Sequence, residues 1–156
     1  MSSTERTPLM TRLITFAAAL QRPMTLGVRA LAIDAQNRIL LVRHTYVPGY
    51  YLPGGGVEAG ETLAQSLERE LLEEGNVRPL EPPVLHGVYL NSKVSRRDHV
   101  ALYVVRAFTV LGPRRPDFEI AEAAFFPADA LPDGTTRATR ARIEEVMQGA
   151  PASPCW

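Results

Sequence analysis

Apolar positions follow two rhythms along this chain. In residues 25–34 (TLGVRALAID) and 38–44 (RILLVRH) they form short runs separated by the polar turn Ala35-Gln36-Asn37, a pattern that predicts two strands paired as a hairpin. Strands are also predicted over 84–90, over 99–109 (HVALYVVRAFT), where alternation and β-branching are strongest, and over 123–126. A short strand at 50–52 interrupts a loop, YVPGYYLPGGG, that is punctuated by Pro48, Gly49, Pro53 and three glycines. The other rhythm is helical. Leu63, Leu67 and Leu71 recur at i, i+4 and i+8, predicting a helix over 62–74 with Thr62 as its N-cap. Residues 136–147 predict a last helix, and the stretch LMTRLITFAAALQRP predicts an N-terminal amphipathic helix packed on the domain. Strands and helices intermixed around one sheet predict an α/β or α+β sandwich. The expected organisation is a helical extension over 1–23, one domain over 24–149 and a flexible tail over 150–156.

Composition narrows the class. At 156 residues, 46% hydrophobic and 22% charged, the chain is long enough to bury a core without staples. Its net charge is zero, which argues against stable nucleic-acid binding and against attraction to an anionic membrane. No segment is apolar enough over enough residues to span a bilayer. Cys155 is the single cysteine, so no intrachain disulfide or cysteine-based zinc site is available, and a cytoplasmic location is expected.

The charge pattern of the central helix asks for an explanation. Glu70, Glu73 and Glu74 crowd its last turn with only Arg69 beside them. Like charges at this spacing cost a helix roughly 0.2–0.5 kcal/mol per pair, and carboxylates there also meet the negative end of the helix dipole. At 100° per residue the three fall within one arc of roughly 100°, bordering the leucine stripe. Half-desolvated carboxylates so placed repel, and one takes up a proton unless a cation arrives. Hard Mg²⁺ or Mn²⁺ suits such oxygen donors. The glycines at 54–56 let backbone approach a ligand, so that a carbonyl can join the carboxylates. Mg²⁺ completes its shell with water and substrate phosphates, which points to phosphoanhydride chemistry.

The spacing is more telling than the composition. From Gly55, five residues lead to Glu61, seven more to Arg69, and then Arg69-Glu70-Leu71-x-Glu73-Glu74 follows. This resembles the Nudix box, G-x5-E-x7-R-E-U-x-E-E-x-G-U, with U an apolar residue. The departure is Asn76, where the family has glycine; asparagine is the next-best residue for a left-handed helix end. The resemblance implies a Nudix α/β/α sandwich with a mixed β-sheet. It further implies a Mg²⁺- or Mn²⁺-dependent hydrolase that cleaves the diphosphate linkage of a small nucleoside diphosphate derivative. By the same resemblance Glu70, Glu73 and Glu74 are metal ligands and catalytic, Gly54 offers its carbonyl, and Glu61 holds Arg69 to orient the helix against the loop. A homodimer is compatible with this reading. The alternative is a non-catalytic Nudix-fold nucleotide-binding or regulatory module; such modules commonly have eroded box carboxylates, whereas every one is present here.

Outside the box the residues speak less sharply. Glu119 and Glu122 lie where many Nudix enzymes draw a further carboxylate, and Glu119 is the preferred metal candidate. Arg43, His44, Tyr51 and Arg97 are candidate substrate contacts: two cations for phosphate, a histidine at a strand end, and an aromatic ring before the glycines. Each also has a plain reading as a solvated or packed side chain. The downstream proline that would suggest ADP-ribose, and the tyrosine that would suggest diadenosine polyphosphates, are both missing.

Overall fold

The computed structural model describes residues 23–156 and, before them, positions 10, 13, 14, 17, 18 and 20. Those six are helical, and Met10, Leu13, Ile14 and Leu20 are exposed rather than packed on the domain. The rest of the expected N-terminal helix lies outside the described residues.

The described strands are β1 (Thr25–Ala32), β2 (Arg38–His44), β3 (Val77–Pro79), β4 (Val84–Leu90), β5 (Asp98–Val105), β6 (Phe108–Val110) and β7 (Ile120–Pro127). The described helices are α1 (Leu63–Gly75) and α2 (Arg137–Met147). β1 lies parallel to β5, which pairs antiparallel with β4; β2 pairs antiparallel with β7, and β3 with β6. The sheet structure is therefore mixed, as expected.

Alternation along β1 builds the layers. Val28, Ala30 and Ala32 face α1, packing with Leu67 and Leu71; Leu31 and Ile33 join Ile39, Leu41, Leu102 and Ile143 of α2 in a second core. A helix covers each face, which makes an α/β/α sandwich.

Three expectations change. β1 and β2 are not a laddered hairpin: beyond one bridge, Ile33 to Ile39, each finds a distant partner. The turn between them is nevertheless well made, with Asp34 accepting from the Gln36 and Arg38 backbones and Asn37 at φ 56°. The long apolar run 99–109 is two strands, because the chain bends after Val105 and Phe108–Val110 pairs with β3 instead. The segment 150–156, read as a flexible tail, is tied down. Leu90 N–H donates to the Pro154 carbonyl at 2.9 Å, and the buried Arg142 donates to the Cys155 carbonyl at 2.7 Å. Glu145 accepts from Ser153 N–H, Arg142 and the Tyr89 hydroxyl. A half-buried carboxylate and a buried guanidinium need such partners, and this segment supplies them.

α1 keeps the box in place. Thr62 and Gln65 cap each other's backbone N–H in a capping box, worth about 1 kcal/mol. The C-cap is Asn76, left-handed at φ 53°, whose N–H reaches the Leu71 and Leu72 carbonyls. Its side chain also donates to the Gly112 carbonyl at 3.1 Å. Asn76→Gly removes that bond and relieves the left-handed cost, so urea denaturation should show a change below about 1 kcal/mol.

Candidate active site

The glycine loop and the end of α1 meet at one corner of the sandwich. Gly54 lies against β1 at φ 145°; a Cβ there would stand 2.0 Å from the Val28 carbonyl oxygen. Gly55 is needed for a different reason, since a Cβ would fall 2.4 Å from the Glu70 carboxylate. The glycines thus let the loop lie flat on β1 and under the glutamates.

Burial separates the three box glutamates. Glu74 is 5% exposed, Glu70 half-buried, and the Glu73 side chain 59% exposed. The helical wheel explains this: Glu74 is three residues past Leu71 and seven past Leu67, in the buried stripe, whereas Glu73 is turned 100° away. Glu74 accepts from Gly54 N–H at 2.8 Å, yet burial pushes its carboxyl up to about 7. Burial also raises Glu70, against the opposing pull of Arg69 at 2.6 Å.

Arg69 is the clamp expected from the sequence. It reaches Glu61 at 2.9 and 3.1 Å, Glu70 at 2.6 Å and the Gly56 carbonyl at 3.3 Å. Its guanidinium holds the half-buried Glu61 carboxyl down at about 2.

His44 brings a nitrogen to the corner. It is 8% exposed, and its Nε2 lies 3.7 Å from Glu74. Burial and the Arg29 charge hold the imidazole below its ordinary value while Glu74 is held above its own. The contact therefore joins two groups each pushed toward neutrality, rather than an ion pair. His44, Glu74 and Glu119 offer ligand atoms within 4.8 Å of one another. Glu70, Glu73, Glu74 and Glu119 share a cavity of about 230 Å³ with Arg114 and Asp117. Hard oxygen donors gathered around one space, two of them driven toward protonation by burial, suit a divalent cation, whose charge reverses that drive.

Other expected residues stand elsewhere. Arg43 points to the opposite side of β2 from His44, pairing with Glu122 at 3.3 Å beside Tyr50. Arg97 is exposed in the turn entering β5, its carbonyl accepting from Thr25 N–H. Neither is brought to the carboxylates. Tyr51 donates to the Pro48 carbonyl, and its ring centroid lies 5.8 Å from that of His44. The Gly54 carbonyl, expected on a metal, accepts from Arg29 at 2.8 Å; its second lone pair is still available to another partner.

Arg29 was not singled out by sequence, although one signal marked it: a lone charge inside the apolar run VRALAI. It also donates to the Leu52 carbonyl at 2.9 Å, and its charge acts on Glu70, Glu74 and His44. Arg114 and Asp117, both in a loop of no evident pattern, were missed as well. Arg114 pairs with Asp117 and donates to the Glu73 carbonyl at 2.6 Å, closing one side of the acidic cavity.

Fold and site together define an α/β/α sandwich of the Nudix type, with the box glutamates gathered at its glycine loop. The sequence matches the NUDIX domain family over residues 23–147, and the chain belongs to that family. It is 34% identical over 103 residues to the ADP-ribose pyrophosphatase of Methanocaldococcus jannaschii, covering 64% of this chain and 60% of that protein. It is 32% identical over 122 residues to the NAD-capped RNA hydrolase of Vibrio vulnificus, covering 75% of this chain and 45% of the other. The crystal structure of the MutT NUDIX hydrolase from Burkholderia pseudomallei is similar at TM-score 0.65 and 28% identity, covering 78% of this chain and 97% of that one. The chain spans between 44% and 60% of the length of the curated relatives it matches. Among the described residues no helix is long and apolar enough to cross a membrane.

Proposed function

We propose that this chain is a pyrophosphohydrolase that uses Mg²⁺ or Mn²⁺ to cleave the diphosphate linkage of a small nucleoside diphosphate derivative. One observation carries the reading: two carboxylates that burial drives toward protonation, Glu70 and Glu74, share a cavity with Glu73 and Glu119. The names of the relatives, an ADP-ribose pyrophosphatase and an NAD-capped RNA hydrolase, support the substrate class.

In this reading Glu70, Glu73, Glu74 and Glu119 hold the cation, with the free lone pair of the Gly54 carbonyl beside them. A divalent ion bound there supplies charge to neutralise the diphosphate oxygens and to activate water. The chain's own residues do the positioning. Arg69 ties Glu61, Glu70 and the Gly56 carbonyl into one unit, so α1 and the loop keep their spacing. Arg29 fixes the loop carbonyls of Leu52 and Gly54 and places a permanent positive charge where phosphate arrives. Zero net charge and a single cysteine fit a small-molecule substrate and a cytoplasmic location.

The test is a screen of ADP-ribose, NADH, nucleotide sugars and nucleoside triphosphates with Mg²⁺ and with Mn²⁺, read as phosphate or nucleotide release. At least one compound should turn over, only with metal, and Glu73→Gln should abolish turnover without altering the circular dichroism spectrum. Tight binding with no release from any compound would instead favour a non-catalytic binding module.

A further inference from the structure

Next to the acidic cavity, and bordered by the same glycine loop, runs a groove of which the proposed chemistry uses only Arg29. Two hollows of about 300 and 280 Å³ share Arg29, Asn91, Val94 and Trp156. One reaches Tyr51 and Arg137; the other reaches Gly55 and Gly56. Arg29 stands at the junction, since the guanidinium that lines both hollows also bonds the Gly54 carbonyl.

Trp156 forms a built wall of this groove. Its backbone N–H donates to the Leu90 carbonyl at 3.1 Å, continuing the pairing of the last segment with β4. Its ring meets Tyr89 edge-on, with centroids 5.4 Å apart and planes at 81°. The Arg142 guanidinium, itself buried and bonded to the Cys155 carbonyl, lies 5.8 Å from the same ring. The indole is thus anchored on the core side and half-buried, with its remaining surface on the groove. Lys93 and Arg137 add positive charge nearby. An aromatic wall with cations beside it suits a planar base carried on an anionic tail.

We propose that this groove seats the nucleoside of the diphosphate substrate, with its base against Trp156 and its phosphate end toward Arg29. The proposal rests on the hydrolase reading above and adds the residue that selects the non-phosphate moiety.

Trp156 is the chain's single tryptophan, so its emission reports on this site alone. The probes are α,β-methylene-ADP, which resists hydrolysis, and methylenediphosphonate, which lacks the base, each titrated into the full chain with Mg²⁺. The nucleotide should change tryptophan emission saturably, with the midpoint that calorimetry gives, whereas methylenediphosphonate should bind without that change. Trp156→Ala should weaken the nucleotide roughly 10–100-fold and leave methylenediphosphonate unaffected. Trp156→Phe, which keeps the packing on Tyr89, should recover most of the affinity. Nucleotide binding with unchanged emission and with equal affinity in Trp156→Ala would overturn the proposal. So would a nucleotide that binds no tighter than methylenediphosphonate, and that outcome leaves the hydrolase reading standing. If neither compound binds, both readings fall.

Discussion

Glu74→Gln is expected to lower metal-dependent turnover by at least about 100-fold and, in the same protein, to raise the stability of the metal-free state. Residues one step removed from a metal typically cost 10–100-fold when lost, so a direct donor, the role proposed for Glu74, belongs at or above the top of that range. The gain in stability comes from desolvation. Glu74 is buried and its carboxyl is pushed from 4.5 to about 7. A carboxyl raised on folding contributes stability that is fully present below 4.5 and lost as pH rises through about 7. At pH 8 the folded state carries a charged group at a cost of about 3 kcal/mol. Glutamine is neutral, and its side-chain oxygen can still accept from Gly54 N–H. In EDTA at pH 8 the variant should therefore melt roughly 5–10 °C above the parent, with the gap nearly closed at pH 4.5. His44 acts in the opposite sense: its pKa is lowered, so its share of stability is lost as pH falls below 6.5. His44 touches Glu74, so the two couple as pH falls, but its lowered pKa keeps it neutral at pH 8 in both proteins, and the difference there belongs to Glu74. Melting curves at the two pH values, with turnover measured on the same preparations, check both halves. Equal melting temperatures at pH 8 would show that burial does not strain this carboxylate.

Gly54→Ala should do the opposite kind of damage. At φ 145° an L side chain is strained, and the added Cβ would stand 2.0 Å from the Val28 carbonyl oxygen and 2.9 Å from Arg29 Cα. Both obstacles are backbone of β1, which is laddered to β5, so neither can turn aside as a side chain would. The expected loss is about 4 kcal/mol or more, seen as a fall of more than about 10 °C in melting temperature. Gly56→Ala is the internal control: nothing lies within 4 Å of its added Cβ, and the change should stay near 0.5 kcal/mol or below. Comparable melting temperatures for the two variants would mean that the loop is not pressed on β1 as described.

The parts of this molecule that local chemistry dictates were legible in its sequence. Thr62 caps α1 where the local sequence placed it, Asn76 takes the left-handed end where the Nudix box has glycine, and the Glu61–Arg69 pair closes the loop–helix unit as the resemblance implied. Partner choice was not legible. Nothing in TLGVRALAID says that its neighbour is the parallel β5 rather than the adjacent β2, because both offer equivalent apolar strands. The unequal burial of Glu73 and Glu74 was available from the leucine stripe, but only once the helix had a core to face. Arg29 showed itself as one charge in an apolar strand, a signal that cannot tell a functional cation from a solvated edge. The closing segment, rich in proline and small residues, reads as loose until Arg142 and Glu145 need its backbone.

The parallel register that sets Thr25 against Asp98 has a consequence for how the protein is made. On the ribosome, the glycine loop and the glutamate helix are synthesised well before the strand that braces β1 against β4. Until β5 emerges, β1 has one edge unfilled, and the loop that rests on it lacks a rigid bed. The acidic corner is thus translated early and completed late, with its geometry waiting on residues from the second half of the chain.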